Sequence, residues 1–222
     1  MRQEVYARLF ESHSTHKQDV RIRMLLEQDA FDHILQDWQR LGYPFGHIVP
    51  SYGSAIGSSG DRPDALADLI GIILNHGEPL PTVDLQRLEF AAGTPYQTDM
   101  AFEPEPQRVL PPEVAQTVRQ ALQGVVAGGK ATRLSGTYHA ADGSLLQVCG
   151  KTGTGDNRFA RFGAGGGLIS QRVVDRTATF VFFLGDRFFG TVTAYGPGAI
   201  AGKYQFTSAI AFQLLKAIEP QL

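Results

Sequence analysis

Leu145-Leu146-Gln147-Val148-Cys149-Gly150-Lys151-Thr152-Gly153-Thr154-Gly155 opens as an apolar strand and closes as Lys-Thr-Gly-Thr-Gly, with no break between its halves. A lysine, two threonine hydroxyls and glycines at a strand end make an anion cradle. The ammonium brings charge, the hydroxyls bring hydrogen bonds, and glycine lets a ligand approach the backbone. If the strand is continuous, alternation puts Lys151 and Gly153 on one face and Thr152 and Thr154 on the other. Cys149 then shares the lysine's face, where a small buried thiol is the expected role.

Two kinds of site use these letters. A nucleotide P-loop needs G-x-x-x-x-G-K-[ST], with a glycine loop and then a helix. Gly150-Lys151-Thr152 fits its end, but the opening position holds Leu145, and Gly143 lies two places too early. The residues after Thr154, through Gly167, are poor in helix formers, although Phe180–Asp186 imitates a Walker B strand. The other site is the Lys-Thr-Gly box of serine acyl-transfer enzymes, in which the strand itself carries the lysine beside a nucleophilic serine.

The rest of the chain bounds the choice. Its 222 residues suffice for one large core, and 43% hydrophobic with 19% charged content favours a packed fold over disorder. A net charge of −2 and the lack of a basic stripe argue against nucleic-acid binding. One cysteine excludes an internal disulfide. The sequence has neither a signal peptide nor an apolar run long enough to span a membrane, so any export signal of a parent protein is expected elsewhere.

Spacing predicts a helix over 18–41, with Met24, Phe31, Ile34, Leu35, Trp38 and Leu41 as its apolar stripe, ended by Gly42. Ser51–Gly60 reads as a linker or as a cleft wall. A second helix runs from about 61 or 63 to 75 with Gly77 as its stop, and a strand covers 81–90. Residues 94–110 read as a surface loop. Pro112 starts a third helix that Gly128-Gly129 breaks, and Lys130 beyond it reads as solvated. A hairpin over 136–148 turns at Asp142-Gly143. Strands at 177–184 and 189–195 and a helix at about 204–218 complete the order. Helices, three antiparallel strands and a closing helix define an α+β domain, an antiparallel sheet packed by helices.

That order, with the box on the first of the three strands, resembles the C-terminal part of the transpeptidase domain of class A penicillin-binding proteins. Pro50-Ser51-Tyr52 through Ile56-Gly57-Ser58-Ser59, then a helix ending Asn75-His76-Gly77-Glu78 and a proline-flanked strand, resembles that family's Pro-Ser, Leu-Gly, helix, Asn-Gly-Gly, strand passage. Arg108-Val109-Leu110, Glu113-Val114-Ala115 and Leu122-Gln123-Gly124-Val125-Val126 resemble the helix leading to the box. Gly129-Lys130-Ala131 stands where the family has Gly-Thr-Ala. Gly150-Lys151-Thr152-Gly153-Thr154 matches the box, and Gly155 replaces the usual Thr or Ser. The likeness is to bifunctional glycosyltransferase/transpeptidases, with the glycosyltransferase domain upstream.

The resemblance implies a partial β-lactamase/transpeptidase-like fold. It divides 1–222 into a helix and Gly/Ser-rich loop (1–60), a helical part (61–135) and the sheet with its closing helix (136–222). It implies a role in peptidoglycan cross-linking at the periplasmic face of the inner membrane, with stem peptides and β-lactams as partners and no metal or organic cofactor. Lys151 becomes the catalytic candidate, and Thr152, Gly153 and Thr154 the substrate-binding ones. The family also needs Ser-x-x-Lys, whose serine attacks the peptide carbonyl, and Ser-x-Asn. Ser14-Thr15-His16-Lys17 spells the first, but such a match arises by chance in roughly one chain in five of this composition. Ser14 lies 137 residues before Lys151, a spacing nearer that of Ser-x-Asn, where His16 would replace Asn. The helix after it is polar, and Ser12 is a weaker candidate still. The nucleophile is therefore expected outside this chain. A non-catalytic remnant of the same fold, and a P-loop protein, stay open as alternatives.

Overall fold

The computed structural model describes residues 14–41, 46–56, 62–79, 85–102, 107–163, 167–198 and 200–219, together with positions 3, 6, 7, 60 and 83. Its helices are α1 (Thr15–Arg40), α2 (Pro63–Leu74), α3 (Pro112–Ala127) and α4 (Ala209–Ala217). Strands β1 (Arg87–Phe90) and β2 (Thr98–Ala101) pair with each other, and β3 (Val148–Phe162), β4 (Leu168–Leu184) and β5 (Phe188–Pro197) form an antiparallel sheet in the order β3-β4-β5. The fold is α+β, an antiparallel sheet packed by helices.

The starts and stops have local causes. Proline occupies the first turn of α2 and of α3, where a missing N–H is harmless. After α2, Gly77 at φ 92° lets its N–H reach Ile72 O at 2.8 Å, and a Cβ there would sit on the Leu110 carbonyl. The Asp142-Gly143 turn forms as predicted, with Gly143 at φ 80° and the Asp142 carboxylate accepting from the Ser144 N–H and hydroxyl.

Alternation along the sheet separates two cores. Val148, Phe180, Phe182 and Leu184 face Phe212 and Leu215 of α4 and Val126 of α3. Cys149 and Phe183 face the other way, against Ile70, Ile73 and Leu74 of α2. On the α4 side Gly150 lies under the Phe180 ring, and a Cβ would fall 2.3 Å from Val181 O and 2.8 Å from that ring. Tyr138 is buried in the same core with its hydroxyl unpartnered.

Several expectations change. The apolar stripe of α1 is only half covered: Phe31, Leu35, Trp38 and Leu41 are partly buried, Met24 and Ile34 are exposed, and no residue of the helix is fully buried. Residues 98–101 pair with β1 as β2 where a loop was expected, and Arg87 and Asp99 form a diagonal ion pair between the two strands. Leu145 contributes only an isolated bridge to His139, so the box strand starts at Val148. The last helix starts at Ala209, since Tyr204–Phe206 run extended across β5 at Gly196. The strand predicted over 81–90 is observed only from Arg87, and its positions 81, 82 and 84 lie outside the described residues. So do Gly42, 57–59 and Ser12.

Gly150→Ala is expected to lower stability by about 2–3 kcal/mol, because the strand cannot shift without breaking its ladder. In a thermal melt that is a fall of roughly 4–12 °C. Tyr138→Phe, which removes only the orphan hydroxyl, is expected to be neutral or stabilising by up to about 1 kcal/mol. An unchanged melt for Gly150→Ala would contradict the packing.

Candidate functional site

Residues 150–155 continue β3 without a turn: Lys151 pairs with Val181, Gly153 with Thr179 and Gly155 with Thr177. Among the described residues β3 pairs with β4 on one side only, which leaves its other edge without a strand partner. A phosphate-wrapping loop is absent at this position, which overturns the P-loop alternative. Phe180–Leu184, the Walker B mimic, belongs to β4.

The box divides as alternation requires. Lys151 is exposed, with its ammonium donating to the Thr152 carbonyl at 2.7 Å, and no carboxylate pairs with it among the described residues. Gly153 shares its face, and a Cβ there would meet nothing within 4 Å. Thr152 is buried on the α4 side. The Thr154 hydroxyl accepts from the Ser208 N–H at 2.8 Å, just before α4. The two hydroxyls and the ammonium therefore lie on opposite faces. Residues two apart on a strand aim their backbone groups alike, so the Thr154 N–H lies on the same side as the Thr152 carbonyl that Lys151 reaches.

Partners across an antiparallel sheet share a face, and this places other hydroxyls beside Lys151. Thr179 stands opposite Gly153 and Thr193 opposite Thr179, with their hydroxyls 3.1 Å apart. Thr191 stands opposite Val181, its hydroxyl buried and unpartnered. Sequence reasoning missed these residues. Their signal was legible: Thr177-Ala178-Thr179 and Thr191-Val192-Thr193 alternate polar with apolar at the strand period.

Cys149, also on this face, is 1% exposed, and burial pushes its thiol up to about 11, so it serves as packing. Ser14 is the exposed N-cap of α1, and Lys17 lies on that helix, in which no residue is buried. Lys130 is exposed, and the turn at Tyr52–Ile56 is a short 3-10 helix. A cavity of about 490 Å³ opens at the far end of the sheet, between Tyr138, Leu146, Phe188 and Glu219, and does not include Lys151. Among the described residues no cluster of His, Cys, Asp or Glu could hold a metal, and no helix is long and apolar enough to cross a membrane.

Polar contacts tie the box strand to the segment entering α4. Arg176 of β4 donates to the Asp156 carboxylate and, at 2.8 Å, to the Phe206 carbonyl, with its guanidinium 5.5 Å from the Phe206 ring centre. That guanidinium holds the Asp156 carboxyl below the usual carboxylate range, with a smaller contribution from Arg158.

No protein-family model matches the chain, and none of the curated proteins matches it. Among solved structures, it resembles penicillin-binding protein 3 from Mycobacterium tuberculosis complexed with aztreonam, at 20% identity over 82% of this chain and 44% of that one, TM-score 0.48. It also resembles the ceftriaxone acyl-enzyme of penicillin-binding protein A from M. tuberculosis, at 17% identity over 82% and 41%, TM-score 0.47. A third is a peptidoglycan glycosyltransferase from Burkholderia ambifaria, at 19% identity over 84% and 56%, TM-score 0.39. The chain thus spans less than half the length of the first two. At such identities and TM-scores, a reading of function rests on the geometry of the site itself.

The depressed Asp156 carboxyl sets a direction of pH dependence. Its contribution to stability is complete above the ordinary carboxylate range, near about pH 4. It is lost as pH falls through the lower folded-state value. The stability difference between the wild-type chain and Asp156→Asn, measured by urea denaturation, should therefore shrink from about pH 5 to pH 2.5. A difference independent of pH would show that the Asp156–Arg176 pair does not form.

Proposed function

We propose that the chain is the C-terminal portion of the D,D-transpeptidase domain of a class A penicillin-binding protein. In this reading it supplies the Lys-Thr-Gly strand to a serine acyl-transfer site whose nucleophile is carried upstream. The observation that carries it is Lys151 exposed on an edge strand, with open space over Gly153 and no carboxylate paired to it among the described residues. A peptide's acidic terminus can lie along such an edge, adding main-chain hydrogen bonds to the attraction of the ammonium.

The roles derive from the faces. Lys151 offers positive charge to the substrate carboxylate and to the serine that attacks. The serine's oxygen bonds to the penultimate D-Ala carbonyl, and the terminal D-Ala leaves with a proton. An amine of a neighbouring stem peptide then takes the acyl group and restores the serine. The Thr154 N–H, on the open side of the strand, is one oxyanion donor, a contribution worth roughly 3 kcal/mol in such sites. The Thr154 oxygen is occupied by Ser208 N–H, which leaves its hydroxyl proton for a ligand oxygen; Thr152 serves the core. Gly155 offers no hydroxyl where the family has one. β-Lactams, as mimics of the donor peptide, would enter the completed site. The divisions 1–60, 61–135 and 136–222 are then parts of one transpeptidase domain, with a glycosyltransferase segment further upstream, at the periplasmic face of the inner membrane. A non-catalytic remnant of this fold is the second reading, favoured by Lys130 and Gly155 standing where hydroxyl residues are usual.

The chain of 222 residues, incubated with a fluorescent penicillin, is expected to form no covalent adduct by intact mass. Joined to its upstream transpeptidase segment, it is expected to label. Lys151→Ala should then slow acylation by at least about 100-fold. An adduct on the chain alone, lost in Ser14→Ala, would overturn the placement of the nucleophile. Unchanged labelling in Lys151→Ala would overturn the role of the box.

A further inference from the structure

The paired strands β3 and β4 run on well past the three-stranded sheet. β5 ends at Pro197, opposite Asp175, so the paired residues beyond Asn157 and before Asp175 form a two-stranded ribbon with no third strand among the described residues. About six residues of β3 at about 3.3 Å each carry it roughly 20 Å outward. An isolated two-stranded ribbon is marginal in water without a covered face.

Its chemistry differs from that of the rest of the chain. From Asn157 to Val174 the sequence holds three arginines and no carboxylate, a net +3, while the whole chain is −2 and the remainder therefore −5. Phe159 stands opposite Arg172, whose guanidinium lies 5.7 Å from the ring centre, and Arg161 is two places along on the same face. Neither Arg161 nor Arg172 has an ion-pair partner among the described residues; Arg158, on the other face, reaches Asp156 at 3.4 Å. Phe159 is 58% exposed, Leu168 52% and Ile169 62%. Apolar side chains and unpaired guanidinium groups interleaved on one projecting element suit a surface that is anionic outside and apolar just beneath. Arginine keeps its head at such an interface while its stem and a neighbouring aromatic ring enter. An acidic protein would match the charge but would leave the exposed aliphatic end, Leu168 and Ile169, without a counterpart in the charge argument.

We propose that the β3–β4 ribbon docks on an anionic lipid bilayer, with Arg161 and Arg172 at the headgroups and Phe159, Leu168 and Ile169 entering the interface. The site is separate from the Lys151 face and does not depend on the transpeptidase reading.

Co-sedimentation of the chain with vesicles tests this. Each arginine near an anionic surface is worth roughly five-fold in partitioning, so with Arg161 and Arg172 engaged, vesicles containing phosphatidylglycerol should bind about 25-fold better than pure phosphatidylcholine. Raising salt to about 0.5 M should abolish most of the difference. Arg161→Glu/Arg172→Glu should remove the preference for anionic vesicles, and Phe159→Ser should weaken binding several-fold while keeping its salt dependence. If the double variant misfolds by circular dichroism, Arg161→Gln, expected to lose about five-fold, replaces it. Equal binding to both vesicle types, full binding by the charge variants, or binding to soluble polyglutamate without binding to vesicles would overturn the proposal. The last outcome would assign the ribbon to an acidic polymer instead.

Discussion

Cross-strand pairing between β3 and β4 governs what the Lys-Thr-Gly-Thr sequence can do. The same residues in a loop would turn their N–H groups inward around a phosphate. Held in register from Val148 opposite Leu184 to Gly155 opposite Thr177, they form a straight edge instead. An edge presents backbone donors and acceptors at alternate residues and offers charge only where a side chain points outward. Lys151 is that side chain, and its neighbour on the same face is a glycine. Pairing has thus laid out along a straight edge letters that are compatible with a cradle.

The same alternation distributes the work of the strand between its faces. On the α4 side, Val148, Gly150 and Thr152 lie over the Phe180–Phe182–Phe212 aromatic group, where the two β4 rings stack at 6.1 Å and Phe212 meets Phe180 edge-on. The other side is dry near Cys149 and hydroxyl-rich further along, at Thr179 and Thr193. The change from apolar to polar happens within one strand, at Lys151. α2 packs at the Cys149 end of this face and leaves the Lys151 end exposed.

Much of this was legible because it depends on period alone. The strand period around Phe180, the prolines before α2 and α3, and the Asp142-Gly143 turn each have a local cause, and each appears where its cause lies. Tertiary facts were less accessible. The stripe on α1 has the spacing of a buried face, yet periodicity records amphipathicity without saying that a partner is present. Residues 98–101 carry too few β-formers to announce a strand; their place is seen only in the pairing with β1. For the site, Lys151 and Gly153 could be placed on one face from sequence. The use of the Thr154 hydroxyl could not, because Ser208 is 54 residues away.

That long-range bond ties the edge strand to the chain entering α4. An edge strand lacks neighbours on one side, so its stiffness has to come from elsewhere. Here the chain entering α4 supplies it: the Ser208 N–H binds the Thr154 hydroxyl, and Arg176 ties Asp156 to the Phe206 carbonyl. Tyr204 and Phe206 cross β5 at Gly196, where a Cβ would meet Tyr204 at 2.6 Å, so only glycine allows the close approach. The clamp holds Thr154 and Asp156, which flank the point where the strand leaves the three-stranded sheet. On the body side of it, β3 is backed by two cores and shows a defined lysine. On the outer side β5 no longer accompanies β4, and the chain after it holds only the ribbon's base, through the Gly198 N–H on the Val174 carbonyl at 3.0 Å and Gly202 beside Val173. The boundary between a fixed surface and a freer one is therefore set by a few polar contacts near the box itself.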